Sequence, residues 1–273
     1  MPKIIINDVE MYYELKGSGF PLVMIMGFAG NIDWWPYKFI KELSKRYQVL
    51  LFDTRGTGKT QDKGIIYSMP LLARDTISLM DKLGIEQAHL FGISMGGLIA
   101  QEMVLRYPVR FKKLILASTS CGLRHGTLVS FDRLKFWLKY PFDSRIRSRS
   151  LMTNIFFSQK YLNQKMKSVK KRKKTVSRRL LIHDTPIKTK LKQMTGIFFC
   201  DTFCRLPQIT SQTLIITGTK DFMVPHKNST ILAERILSTK LVKLKDHGHA
   251  LIGESPEKVS SIILDFLSGN TES

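Results

Sequence analysis

Three short stretches of this chain carry side chains able to make and break covalent bonds. The first is Gly92-Ile93-Ser94-Met95-Gly96, which stands where an apolar, strand-like run passes directly into a pattern of helical period. A serine in that context sits on a strained turn that lifts its hydroxyl above a sheet, and Gly92 and Gly96 have no side chains to strike the adjoining strand and helix. Ser94 is therefore the candidate nucleophile. The second stretch, Gly218-Thr219-Lys220-Asp221, follows another strand-like run and offers an acid able to orient a histidine, the alternative being a plain turn-forming aspartate. The third, Asp246-His247-Gly248-His249-Ala250, supplies two imidazoles that could accept the serine proton. His249, which follows the glycine, is the better candidate, with His247 as the alternative.

Two other motifs suggest different chemistry. Gly58-Lys59-Thr60 matches the end of a phosphate-binding G-x-x-x-x-G-K-[ST] loop, but the position five before Gly58 is Asp53. The following Gln61-Asp62-Lys63-Gly64 starts no apolar helical period, so a phosphate would lack its helix. Cys200-x-x-x-Cys204 has no histidine pair nearby, and the histidines show no zinc spacing beyond His247 and His249. No metal and no cofactor are expected. The three cysteines, an odd count without paired spacing, read as free thiols and fit a reducing compartment. Arg55 is expected to bond carbonyls or carboxylates near the end of a sheet, and Trp34 and Trp35 to brace a loop.

The elements that must position these groups follow from periodicity. Apolar, β-branched runs at 3–6, 11–15, 22–26, 47–52, 89–93, 113–117, 213–217 and 240–245 alternate with helical stretches. Met69, Leu72, Ala73, Thr76, Met80 and Leu83 recur at three- and four-residue intervals before Gly84, as a helix with one buried face and a glycine stop requires. The expected fold is α/β: an eight-stranded, mostly parallel sheet with helices on both faces, whose first two strands form an antiparallel hairpin. The alternation stops near Ser120 and resumes near Leu206. Residues 1–120 and 206–273 therefore form the core, and residues 121–205 a mainly helical insertion.

Charge separates these regions. The chain has 43 lysines and arginines against 22 acids, a net charge of +21, yet residues 121–205 alone hold 21 bases and 4 acids, leaving +4 for the rest. Within the insertion, Phe131, Leu134, Trp137 and Leu138 lie at helical spacing beside Arg133, Lys135 and Lys139, a basic amphipathic pattern that either covers an apolar cleft or lies on a membrane surface. Lys170-Lys171-Arg172-Lys173-Lys174 resembles a nuclear-localisation or nucleic-acid tract, though a solvated face is the simpler reading and nucleic acid is not the expected partner. The N-terminus lacks the apolar core of a signal peptide and no segment is long and apolar enough to span a bilayer, so the expectation is a soluble, cytoplasmic protein.

The chain order Ser94, Asp221, His249, together with Met26-Gly27-Phe28-Ala29-Gly30, Asp53-Thr54-Arg55-Gly56-Thr57-Gly58 and Tyr107-Pro108, resembles the α/β-hydrolase-fold serine hydrolases across nearly the whole chain outside the insertion. The resemblance implies a Ser-His-Asp triad, an oxyanion hole built from the backbone N–H groups of Phe28 and Met95, and an insertion that acts as a lid. It is closest to small esterases, enol-lactonases and perhydrolase-like proteins. Many relatives carry His-Gly where this chain has Met26-Gly27. Related epoxide hydrolases and haloalkane dehalogenases carry an aspartate at the elbow, so Ser94 points instead to acyl transfer. The expected activity is hydrolysis of a carboxylic ester with an apolar group, the alternatives being thioester, lactone or carbon–carbon bond hydrolysis, or a protein that docks on an anionic membrane or nucleic acid through its basic lid.

Overall fold

The computed structural model describes residues 2–64, 66–127, 154–166 and 185–269. The elements run β1 (Lys3–Ile6), β2 (Val9–Lys16), β3 (Pro21–Ile25), α1 (Tyr37–Leu43), β4 (Gln48–Phe52), α2 (Met69–Lys82), β5 (Ala88–Ile93), α3 (Met95–Arg106), β6 (Phe111–Ala117), α4 (Gln159–Met166), α5 (Ile187–Phe199), β7 (Gln212–Gly218), α6 (Lys227–Arg235), β8 (Thr239–Leu244), α7 (Leu251–Glu254) and α8 (Pro256–Ser268). The eight strands lie in the order β1-β2-β4-β3-β5-β6-β7-β8. β1 with β2 and β2 with β4 are antiparallel, and every other pairing is parallel.

Two-residue alternation divides the strands between two buried layers. Val23, Ile25, Leu50, Phe52, Leu90, Leu114, Leu116 and Ile215 pack with Leu72 and Met80 of α2, Leu98 and Ile99 of α3, and Leu232 of α6. Their strand neighbours Leu22, Met24, Val49, Leu51, Phe91, Ile115, Leu214 and Ile216 face the other way, onto Phe39 and Ile40 of α1 and Val259 and Ile263 of α8. A sheet covered on both faces requires such continuous apolar strands. Helix α2 begins at Ser68, whose side chain accepts from the Leu71 amide, and is followed by Gly84 at φ 68°. That left-handed turn is one glycine adopts at little cost.

Strand order sets where chemistry can occur. The chain leaves β3 toward β4 on one side and leaves β5 toward β6 on the other, so the loops at the ends of β3 and β5 flank a crevice at a topological switch point. Between β6 and β7 the described residues include α4 and α5. The amphipathic stretch at 131–138 and the basic run at 170–174 lie outside the described residues.

Candidate active site

At the end of β5, Ser94 adopts φ 55° and ψ −121°, a conformation that costs a non-glycine residue about 1–3 kcal/mol. The surroundings hold it there. Its amide donates to Ala117 O at 2.9 Å, and its carbonyl accepts from the Thr119 hydroxyl at 2.7 Å and the Gly97 amide at 2.9 Å. The close approach explains the glycines: a Cβ on Gly96 would lie 2.2 Å from the Ile25 carbonyl oxygen, and one on Gly92 2.4 Å from that of Gly96. Met95 opens α3, whose first amides point back toward the serine.

Opposite Ser94 lies the loop after β3. A Cβ built on Gly27 would stand 3.1 Å from Ser94 Cβ and 3.7 Å from its Oγ, so this loop borders the hydroxyl directly. The loop turns tightly, with Gly30 N donating to Gly27 O, and Ala29 takes a positive φ of 56°. Asp53, at the end of β4, accepts from the Ile32 and Lys59 amides, both at 2.8 Å. A Cβ on Gly58 would meet that carboxylate at 2.1 Å, so the turn at Gly58-Lys59-Thr60 already cradles an anion of the chain itself. Burial raises the Asp53 pKa, and the two amide bonds oppose the shift.

The acid and the base come from the loops after β7 and β8. Asp221 Oδ2 bonds His249 Nδ1 at 2.8 Å, and Asp221 Oδ1 accepts from the Met223 and Val224 amides, each at 2.8 Å. Both side chains are buried. An ionised carboxylate so bonded holds the imidazole as the Nδ1–H tautomer and leaves Nε2 as the proton acceptor. Among the described residues His249 Nε2 and the half-buried Ser94 hydroxyl have no hydrogen-bond partner. The two segments meet at the end of β6, where the residue after Ala117, Ser118, donates to the His249 carbonyl at 3.4 Å. His247 is committed elsewhere: Nδ1 bonds Lys245 O and Nε2 bonds Ser255 Oγ, both at 2.8 Å. The backbone of the intervening Gly248 packs so closely on residues 156–158 that a Cβ would come within 2.8 Å of Phe156 O.

Several residues that frame the site carried no signal in the sequence. Phe156 sets its ring 5.5 Å from that of His249, and its carbonyl accepts from the Ala250 amide at 2.8 Å. Glu254 gathers the Gly248 amide, the Ser158 amide and the Ser158 hydroxyl. On the opposite side, Gln193 Oε1 accepts from Ala29 N and Thr185 Oγ1 donates to Ala29 O, each at 2.8 Å. One signal was available for Gln193. Within a lysine-studded helix, Thr189, Gln193 and Gly196 form an uncharged stripe at i, i+4 and i+7 that is buried together with Lys190.

A doubly covered, mostly parallel sheet, with a strained serine at its switch point and a buried Asp–His pair in the loops after β7 and β8, has the architecture of the α/β hydrolases. The alpha/beta hydrolase fold family model matches residues 21–256, and the chain belongs to that family. It is 26% identical, over 95% of its length and 96% of the relative's, to a protein of Azorhizobium caulinodans named "Putative carbamate hydrolase RutD". Solved structures with the same fold include an enol-lactonase from Burkholderia xenovorans LB400 (22% identity, TM-score 0.84, 98% of this chain and 100% of that one). A thermophilic esterase from Thermogutta terrifontis is similar (23% identity, TM-score 0.82, 98% of each chain). Among the described residues no helix is long and apolar enough to cross a membrane.

Proposed function

We propose that the protein hydrolyses a carboxylic ester through an acyl-enzyme. The observation that carries this reading is the buried Asp221–His249 pair on the serine's side of the sheet. In the first half-reaction Ser94 Oγ attacks the carbonyl carbon while its proton passes to His249 Nε2. The negative charge that develops on the carbonyl oxygen is met by the Met95 and Phe28 amides, each such donor contributing about 3 kcal/mol to the transition state. The C–O bond to the alcohol breaks and the imidazolium returns its proton to that oxygen. Water then repeats the sequence: His249 takes its proton, the acyl–Oγ bond breaks, the acid leaves and Ser94 regains a proton. Asp221 stays ionised throughout and stabilises the imidazolium.

A carbamate or lactone carbonyl would be attacked by the same groups, and the similarity to a protein named as a carbamate hydrolase and to an enol-lactonase makes both natural members of a substrate panel. The test is turnover of p-nitrophenyl esters of graded chain length alongside thioesters, lactones and carbamates, together with labelling by a fluorophosphonate. Ser94→Ala should abolish labelling and lower ester turnover by about 10⁴-fold or more. Undiminished labelling would remove Ser94 from its role.

One observation favours a second reading, that the segment between β6 and β7 docks on an anionic lipid surface. The outer face of α5 presents Ile187, Leu191, Phe198 and Phe199 to solvent, the last two 67% and 78% exposed, beside Lys188 and within the most basic part of the chain. Apolar side chains flanked by cations are what an interface of acyl chains and anionic headgroups takes up. Co-sedimentation with anionic but not neutral phospholipid vesicles, lost at high salt and in a Phe198→Glu, Phe199→Glu variant, is the expected result. Retention on RNA without retention on vesicles would replace this reading.

A further inference from the structure

We infer that Gln193 of α5 and Thr185 just before it make the oxyanion loop competent by holding both polar groups of Ala29, so that these two residues tune catalysis from outside the loop. The inference rests on the acyl-transfer reading above.

The geometry is specific. Ala29 directly follows Phe28, whose amide is the expected oxyanion donor, and both polar groups of Ala29 are taken by side chains from beyond β6: its N–H by Gln193 Oε1 and its C=O by Thr185 Oγ1, each at 2.8 Å. The Ala29 N–H belongs to the Phe28–Ala29 peptide and its C=O to the Ala29–Gly30 peptide, so the two bonds fix both peptide planes around a residue held at φ 56°. Ala29, Thr185 and Gln193 are all buried, and water does not replace these bonds while the segments stay packed. A rotation of the Phe28–Ala29 region by a few tenths of an ångström would move the expected donor relative to the developing oxyanion, to which such stabilisation is steeply sensitive.

The orientation of Gln193 follows from its partner, because the Ala29 amide is a donor and so selects the side-chain oxygen. This leaves Nε2 buried with no partner among the described residues. A methionine of similar length would remove that orphan donor but leave the buried Ala29 N–H without its acceptor. What the glutamine adds is an acceptor aimed at Ala29. Gln193 and Thr185 are thus positioning residues, acting through the loop without touching the reacting atoms.

The test compares Gln193→Met and Thr185→Val with the parent protein. Each should lower kcat on the preferred ester, and the rate of fluorophosphonate labelling, by about 10–100-fold. KM and the kinetic pKa of the His249 limb should remain near those of the parent, while the melting temperature falls by a few degrees because each substitution leaves one buried polar group of Ala29 unpaired. Thr185→Ser, which keeps the hydroxyl, should recover most of the loss. Amide exchange in a peptide spanning residues 26–31 should quicken in Gln193→Met, a readout that needs no substrate. Parent-like kcat and parent-like exchange in folded Gln193→Met and Thr185→Val would overturn the inference, and so would a loss of activity, measured well below the melting temperature, that Thr185→Ser does not recover. A parent protein that never labels at Ser94 would instead overturn the hydrolase reading, and the exchange measurement would still decide whether Gln193 holds the loop.

Discussion

Arg55 and His249 are both sealed from solvent and both bonded to an aspartate, yet their surroundings suit opposite purposes. Arg55 spends its donors completely: Nε and Nη2 bond Asp75, Nη1 and Nη2 bond Asp8, and Nη1 also reaches Lys63 O. Burial alone would lower the arginine pKa, but the bonds to Asp75 and Asp8 outweigh it and raise the value, so its charge is fixed under all ordinary conditions. His249 spends one nitrogen on Asp221 and leaves the other uncommitted among the described residues. A buried polar group with every bond made ties β1–β2 to α2 and the loop after β4. One with a bond withheld is able to move a proton.

Breaking each cluster should therefore show different losses. The largest effect is expected in His249→Ala or Asp221→Asn, which should lower kcat/KM for esters by about 10⁴-fold with little change in melting temperature. A variant that kept activity would show that the uncommitted nitrogen is not the base. Arg55→Met should act in reverse, costing about 3–5 kcal/mol in urea unfolding because Asp75 remains buried and uncompensated, while molecules still folded keep their labelling rate. If folded Arg55→Met lost its labelling, the two clusters would have to be coupled.

His89 offers a finer test, because it is a buried histidine outside the site. Burial, aided by Lys113 and Lys112, lowers its pKa from 6.5 to about 4, and its ring lies 4.8 Å from that of Phe20 and 5.7 Å from that of Tyr47. Between those two values the unfolded chain binds more protons than the folded one, so this contribution is whole above 6.5 and is lost as pH falls toward 4. His89→Phe should accordingly lose less melting temperature than the parent between about pH 7.5 and pH 4.5, with no change in the kinetic pKa of His249. An unaltered acid limb of stability would rule the group out. The smallest effect is expected at Lys38–Glu257, whose side chains are 71% and 59% exposed: Lys38→Ala should change stability by less than about 0.5 kcal/mol.

Much of this was legible in the chain. All eight strands fall within two residues of their expected bounds, because strands buried on both faces are written as continuous apolar runs. Gly84 ends α2 as expected, and Arg55 binds carboxylates as expected. The partners of Arg55 were not legible: Asp75 and Asp8 lie 20 and 47 residues away, and nothing local marks either one. The same distance hid Phe156, Glu254, Thr185 and Gln193. Phe156, Thr185 and Gln193 are uncharged residues of a strongly basic segment whose composition draws attention to its lysines, and Glu254 lies after the last strand, beyond the three motifs that mark the site.

The sequence by itself determined the serine turn, the chain order of Ser94, Asp221 and His249, and the sheet that carries them, because each depends on short-range rules: glycine where backbones touch, apolar runs where both faces are covered. Only the tertiary structure separates the surroundings of His247 and His249, by giving one ring to Lys245 and Ser255 and the other to Asp221. It alone brought Ala29 against Gln193, 164 residues later in the chain. Hydrogen bonds over such separations arise from how β6, the segment after it and the loops of the sheet pack together, and packing has no period that a linear sequence can display.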